Sequence, residues 1–186
     1  MLKFLKENSY NIVRLYINQI GITIFSLVLY FSASAASDDL ATKLKLIISI
    51  FASLFLYALL YTAAWDWGAN DKIRVDSGKT KTFMLKGACI SLCSNTFNFV
   101  LALGCIISEL IASGGNGTVY QIFNPIYLLT NSMYIGTVDL ISVTNYLARY
   151  IFLFAIPILT IIATEIGYFF GMKNIKILGS SQKKKN

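Results

Sequence analysis

The chain has 186 residues, 56% of them apolar and only 13% charged, with 16 Lys and Arg against 9 Asp and Glu and no His. A charged share roughly half that of ordinary soluble domains cannot cover so much apolar surface in water, so a soluble fold is excluded and lipid is the expected solvent. Without His there is no Ser-His-Asp or Cys-His catalysis, no helical His-Glu zinc motif and no imidazole-held haem.

These numbers predict an all-α fold: a polytopic transmembrane four-helix bundle, with an interfacial N-terminal helix and a long outer connection between spans three and four, in one domain covering residues 1–186. A hydrocarbon core about 30 Å thick needs about 20 helical residues at about 1.5 Å each. Leu2, Leu5, Ser9, Ile12 and Tyr16 read as an interfacial lead-in. Span one is expected over residues 17–36. Its apolar core, Ile20 to Phe31, followed by Ser32-Ala33-Ser34-Ala35-Ala36, also fits a signal peptide. Glu7 and Asn18-Gln19, lying in a long leading region, favour retention instead, and removal would leave everything downstream oriented as before.

Span two is expected over 44–64 with Asp38 and Asp39 as helix-start signals, span three over 83–112, and span four over 147–170 with Gly171 as its stop. Pro157 should kink span four where neighbouring helices can satisfy the freed carbonyl. Residues 173–186 form a basic tail. Lys3, Lys6, Arg14, the segment from Lys72 to Lys86 and the tail hold 13 of the 16 Lys and Arg, leaving Lys43, Lys45 and Arg149 on the other side. The positive-inside rule then puts both termini and the middle loop in the cytoplasm. Trp65, Trp67 and Tyr168 mark the inner interface, and Tyr30, Tyr146 and Tyr150 the outer one. The basic residues flank apolar segments instead of forming one patch, so no nucleic-acid partner is expected.

Two connections stand out. The inner one, Trp65 to Lys79, mixes both charge signs with turn residues: Trp65, Asp66, Trp67, Asp71, Lys72 and Arg74, with Lys86 at the start of the next span, make a candidate docking surface for a partner or anionic headgroups. The same residues equally read as a solvated hairpin. The outer connection, Gly114 to Tyr146, opens on Gly114-Gly115-Asn116-Gly117 and then turns apolar, interrupted by Pro125 and Asn131. It is too short and broken to span, so it lies along the outer surface or re-enters part way.

Inside span three, Ser91, Asn95, Asn98, Ala102, Cys105 and Glu109 recur at alternating spacings of 4 and 3, which puts them on one helix face. That face must look into the bundle or a water-filled cavity, and serves either helix packing or a polar site. Glu109 and Arg149 fall at similar depth and are expected to pair. Glu165, about 9 Å of helix rise from Gly171, has Lys86 or the Asn18-Gln19 pair within reach, as a structural pair or a proton carrier. Cys89 and Cys93 lack two further ligands for a tetrahedral metal site, so with Cys105 they read as small core residues. Neither a metal, a cofactor nor a catalytic set is expected.

Trp65-x-x-Gly68-x-x-Asp71-Lys72, then Lys86-Gly87 entering the next span, and Ile166-Gly167-Tyr168-Phe169-Phe170-Gly171-Met172-Lys173 closing span four, resemble uncharacterised four-span integral membrane proteins of low-GC Gram-positive bacteria. The resemblance covers about a fifth of the chain. It implies a multi-pass protein of a bacterial cell membrane and supplies no activity. Two functions are expected from the residues. One is a non-enzymatic accessory or interaction subunit that docks a protein partner through its inner loop and tail; the polar stripe is buried within one copy or against a second copy in a homo-oligomer. The other is a small transport or substrate-binding component using the polar stripe with Glu109 and Glu165.

Overall fold

The computed structural model describes residues 2–35, 37–79, 83–112, 118–144, 146–175 and 177. Among these the secondary structure is all helix: α1 Leu2–Ala33, α2 Asp38–Asp76, α3 Lys86–Ser94, α4 Thr96–Ala112, α5 Thr118–Thr130, a 3-10 turn Ser132–Tyr134, α6 Ile135–Thr144 and α7 Tyr146–Met172. Lys3–Ala33, Leu40–Asp76 and Ile151–Met172 are long and apolar enough to cross a membrane, and Lys86–Ser94 with Thr96–Ser108 adds a fourth if that bent pair is one span.

The fold exposes large apolar side chains and buries polar ones to a degree unlike a protein built for water. Along α1, Val13, Ile17, Ile20, Ile24, Val28 and Phe31 are exposed, while Asn8, Gln19, Thr23 and Ser26 are buried. Large apolar side chains at this helical spacing gain nothing by facing water, whereas buried amides and hydroxyls must be hydrogen-bonded inside. Lipid outside, and an interior that mixes hydrogen-bonded polar groups with apolar side chains such as Leu15, Leu56 and Leu60, satisfy both.

The long elements differ from the sequence expectation in three places. First, α1 runs unbroken from Leu2, so the lead-in and span one form a single rod of about 48 Å. Second, the inner connection is not a hairpin from Trp65, because α2 continues as helix to Asp76. Polarity alone does not end a helix. The stretch contains no Pro, and the stop comes at Gly78, whose φ of +71° suits a residue without a Cβ. There Gly78 N–H donates to the Val75 carbonyl and Lys79 N–H to the Arg74 carbonyl, the crossed bonds of a Schellman end.

Third, the stretch expected as span three is two helices, α3 and α4, which meet at 56° about Asn95. The Asn95 side-chain amide donates to the Ser91 carbonyl and the Thr96 hydroxyl to the Leu92 carbonyl. Side chains that claim the carbonyls of the preceding turn compete with the backbone ladder and bend helices.

Pro157 leaves α7 continuous from Tyr146 to Met172. The carbonyl that loses its partner to a proline is four residues back, at Leu153, and the buried hydroxyl of Tyr127 on α5 donates to it at 2.7 Å. Tyr127→Phe orphans that carbonyl and is expected to cost about 1 kcal/mol, read as a lowered unfolding midpoint in detergent. An unchanged midpoint would detach the Tyr127 hydroxyl from the stability of α7.

The most extensive interface joins α2 and α7, and its contacts are backbone on backbone. A Cβ at Gly167 would come within 2.5 Å of the Tyr61 carbonyl oxygen, one at Gly171 would overlap the Trp65 carbonyl, and one at Gly68 would overlap the Tyr168 carbonyl. Small residues four apart let two helices approach this closely. α3 packs beside them on α7 and α1, α4 carries α5, and α6 lies against α2 and α7.

Candidate functional site

Between α5 and α6 the chain turns against α1 and α2. On its way in, Asn124 accepts a hydrogen bond from Arg149 at 2.7 Å and the Phe123 ring covers Gly104. On its way out, Gly136 N–H donates to the Ser49 hydroxyl at 2.8 Å, and the Gly136 Cα packs against the Lys45 backbone. The turn, Asn131 to Tyr134, is fully buried and level with Ser26, Tyr57 and Asn98.

At and beside that turn α1, α3, α4, α5 and α7 bring uncharged polar groups together. From α1, Thr23 Oγ1 donates to the Thr130 carbonyl at 2.9 Å, while Ser132 Oγ donates to the Thr23 carbonyl at 2.8 Å and lies 2.6 Å from Ser26 Oγ. From the turn, Asn131 Nδ2 donates to Asn98 Oδ1 at 3.4 Å. Asn98 Nδ2 and Gln19 Nε2 both donate to Asn95 Oδ1 at 3.1 Å, and Asn95 Nδ2 reaches the Ser91 and Ser94 hydroxyls at 3.3 and 3.4 Å. From α7, the Thr164 hydroxyl lies 3.3 Å from Ser91 Oγ. The hub is Asn95, where α3 and α4 meet.

The cluster is not closed. Gln19 is 5% exposed, and its Oε1 has no hydrogen-bond partner. Beside it the backbone at the bend carries Asn95 N–H on the Ser91 carbonyl and Phe99 N–H on the Asn95 carbonyl. A buried acceptor without a partner suits a ligand that donates a hydrogen bond. No formally charged side chain joins these bonds, and among the described residues no His, Cys, Asp and Glu group could hold a metal ion.

A second polar group sits at the end of the molecule rich in Lys and Arg. Lys86 Nζ pairs with Asp71 Oδ2 at 2.7 Å, and Tyr168 donates to the same oxygen at 3.0 Å. Glu165 accepts from Ala88 N–H at 2.7 Å. Its partner is thus neither Lys86 nor Asn18-Gln19, because the first turn of α3 offers free backbone donors and its positive end attracts a carboxylate. Glu165→Ala is expected to cost about 1 kcal/mol and Glu165→Gln clearly less, since the amide keeps an acceptor. Equal losses in the two variants, read by thermal unfolding, would remove the capping role.

The other residues singled out by sequence separate. Arg149 donates to Asn124, and Asp139 is the carboxylate in electrostatic reach of both Arg149 and Lys45; the expected pairing with Glu109 falls on a side chain outside the described residues. Trp65 donates to the Ile175 carbonyl at 2.7 Å and Trp67 is buried. Asp66 lies 4.0 Å from Arg14, while Lys72 is half-buried and Arg74 exposed. Sequence reasoning missed Thr23, Ser26, Asn131, Ser132 and Thr164 as members of the cluster. Gln19, Thr23 and Ser26 recur at spacings of 4 and 3, the periodicity that had marked span three.

No family model, curated protein or solved structure matches the chain.

Proposed function

We infer that this protein is a small, non-enzymatic transport or substrate-binding component of a bacterial cell membrane, with its Lys- and Arg-rich end and both termini in the cytoplasm. The observation that supports the reading is the meeting of a bent pair of apolar helices with a buried turn at a polar cluster containing an unpartnered Gln19 Oε1. Irregular backbone at membrane depth is tolerated where it is enclosed by protein or lines a cavity, and discontinuous helices are how many membrane transporters build substrate sites near the midplane. The cluster is uncharged, which favours a small neutral solute over an ion.

Docking through the inner connection and tail is the weaker reading. Asp71 and Lys86 are committed to each other, and Trp67 is packed inside. The test is uptake of urea, glycerol and hexoses into proteoliposomes. At least one solute should enter faster than into protein-free vesicles, and that excess should fall in Asn98→Leu and Asn131→Leu variants that elute like the wild type. Rates equal to those of empty vesicles for all three solutes would overturn the neutral-solute reading.

A further inference from the structure

Away from the buried cluster, α1 and α2 part at the Lys- and Arg-rich end to leave a cleft of about 410 Å³, lined by Tyr10, Asn11, Arg14, Trp65, Asp66 and Asn70, with Trp67 behind them. It opens directly beyond Leu44 to Ala64, the apolar run of α2, and so lies at headgroup level. Both tryptophans of the chain line it, as interfacial anchors do. Its volume falls within the range of small-molecule sites.

The charges in the cleft define a ligand. Arg14 Nη2 and Asp66 Oδ2 lie 4.0 Å apart, and their side chains remain 41% and 55% exposed. So long and open a pair leaves most of the hydrogen-bonding capacity of both groups unused. We propose that the cleft binds the headgroup of a zwitterionic aminophospholipid, a phosphoethanolamine. Its phosphate meets the Arg14 guanidinium and the amide donors of Asn11 and Asn70. Its primary ammonium donates to the Asp66 carboxylate beside the indole rings, which also attract cations. A purely anionic headgroup would occupy Arg14 and bring no cation of its own to the Asp66 carboxylate. A quaternary ammonium has no N–H to donate to that carboxylate. The site is independent of the transport reading, because none of its residues belongs to the buried cluster.

The experiment is native mass spectrometry of the purified full chain titrated with phosphatidylethanolamine, phosphatidylcholine and phosphatidylglycerol of identical acyl chains. The ethanolamine lipid should be held about tenfold more tightly than the other two, the size of one charge-assisted hydrogen bond. Asp66→Asn should abolish its advantage over the choline lipid, and Arg14→Gln should weaken all three alike. Tighter retention of phosphatidylglycerol, equal retention of the three lipids, or an ethanolamine preference untouched by Asp66→Asn would each overturn the assignment. The wild-type comparison alone decides the ligand class, so a variant that fails to fold does not leave the question open.

Discussion

Gly171→Leu is expected to prevent α2 and α7 from closing, because even the first carbon of any side chain at 171 would occupy the space of the Trp65 carbonyl oxygen. That obstacle is backbone in the middle of a helix. A flexible side chain could swing aside, but here one whole helix must withdraw. Gly167, against the Tyr61 backbone, and Gly68, against Tyr168, would then lose their contacts as well. The cost should lie at or above about 3 kcal/mol, the upper end for overpacking. Gly21 is the control: a Cβ there meets nothing within 4 Å, so Gly21→Leu should leave the midpoint within about 0.5 kcal/mol of the wild type. Loss of the monodisperse peak on size exclusion for Gly171→Leu, with Gly21→Leu intact, is the expected result. Equal behaviour of the two would refute the close crossing.

Asn95→Leu should be the most damaging substitution within the polar cluster. Its carbonyl oxygen accepts from Gln19 and Asn98, and its amide nitrogen serves Ser91 and Ser94. Leucine fills a similar volume and leaves the two incoming donors buried without an acceptor, at about 1–3 kcal/mol each on the scale of buried polar groups. Hydrogen bonds between membrane helices average nearer 0.6 kcal/mol, since the loosened state also finds partners. A net loss of about 2–3 kcal/mol is therefore expected. Asn95→Asp keeps both acceptors and should lose less. If Asp destabilises more than Leu, charge burial outweighs hydrogen bonding at the break, and the cluster is less polar than its bonds imply.

How far these features could be read in the sequence depended on the physical signal each one leaves. Apolar runs long enough to cross lipid are a property of composition, and all four expected spans coincide with long or paired helices. The span-three face was legible from spacing, and Ser91, Asn95, Asn98, Ala102 and Cys105 are all buried. Beyond their local partners, Asn95 and Asn98 bond groups elsewhere in the chain, 76 residues away at Gln19 and 33 at Asn131, and periodicity within one helix carries no information about such pairings. The continuation of α2 past Trp65 is not legible from charge, which marks exposure and not a loop; Gly78 supplies the conformation that ends the helix. Glu165 was sought among charged and amide side chains, and its partner is a backbone N–H exposed by the start of α3. The break at Asn95 has a sequence signal, an Asn-Thr pair able to bond the preceding carbonyls, which hydrophobic periodicity does not register.

The central claim is that the cluster at the buried turn is reached by small solutes from water. The most direct test is a single thiol placed there by Ser132→Cys, in a chain whose Cys89, Cys93 and Cys105 are replaced by Ala. A small, membrane-impermeant thiol reagent is then added to sealed vesicles. The account predicts modification of the thiol at 132, slowed when Asn131→Leu is added, and no modification of a control thiol placed by Ile24→Cys on the exposed face of α1. A thiol at 132 as inert as the one at 24 would contradict it and reduce the cluster to the packing of one helix against another.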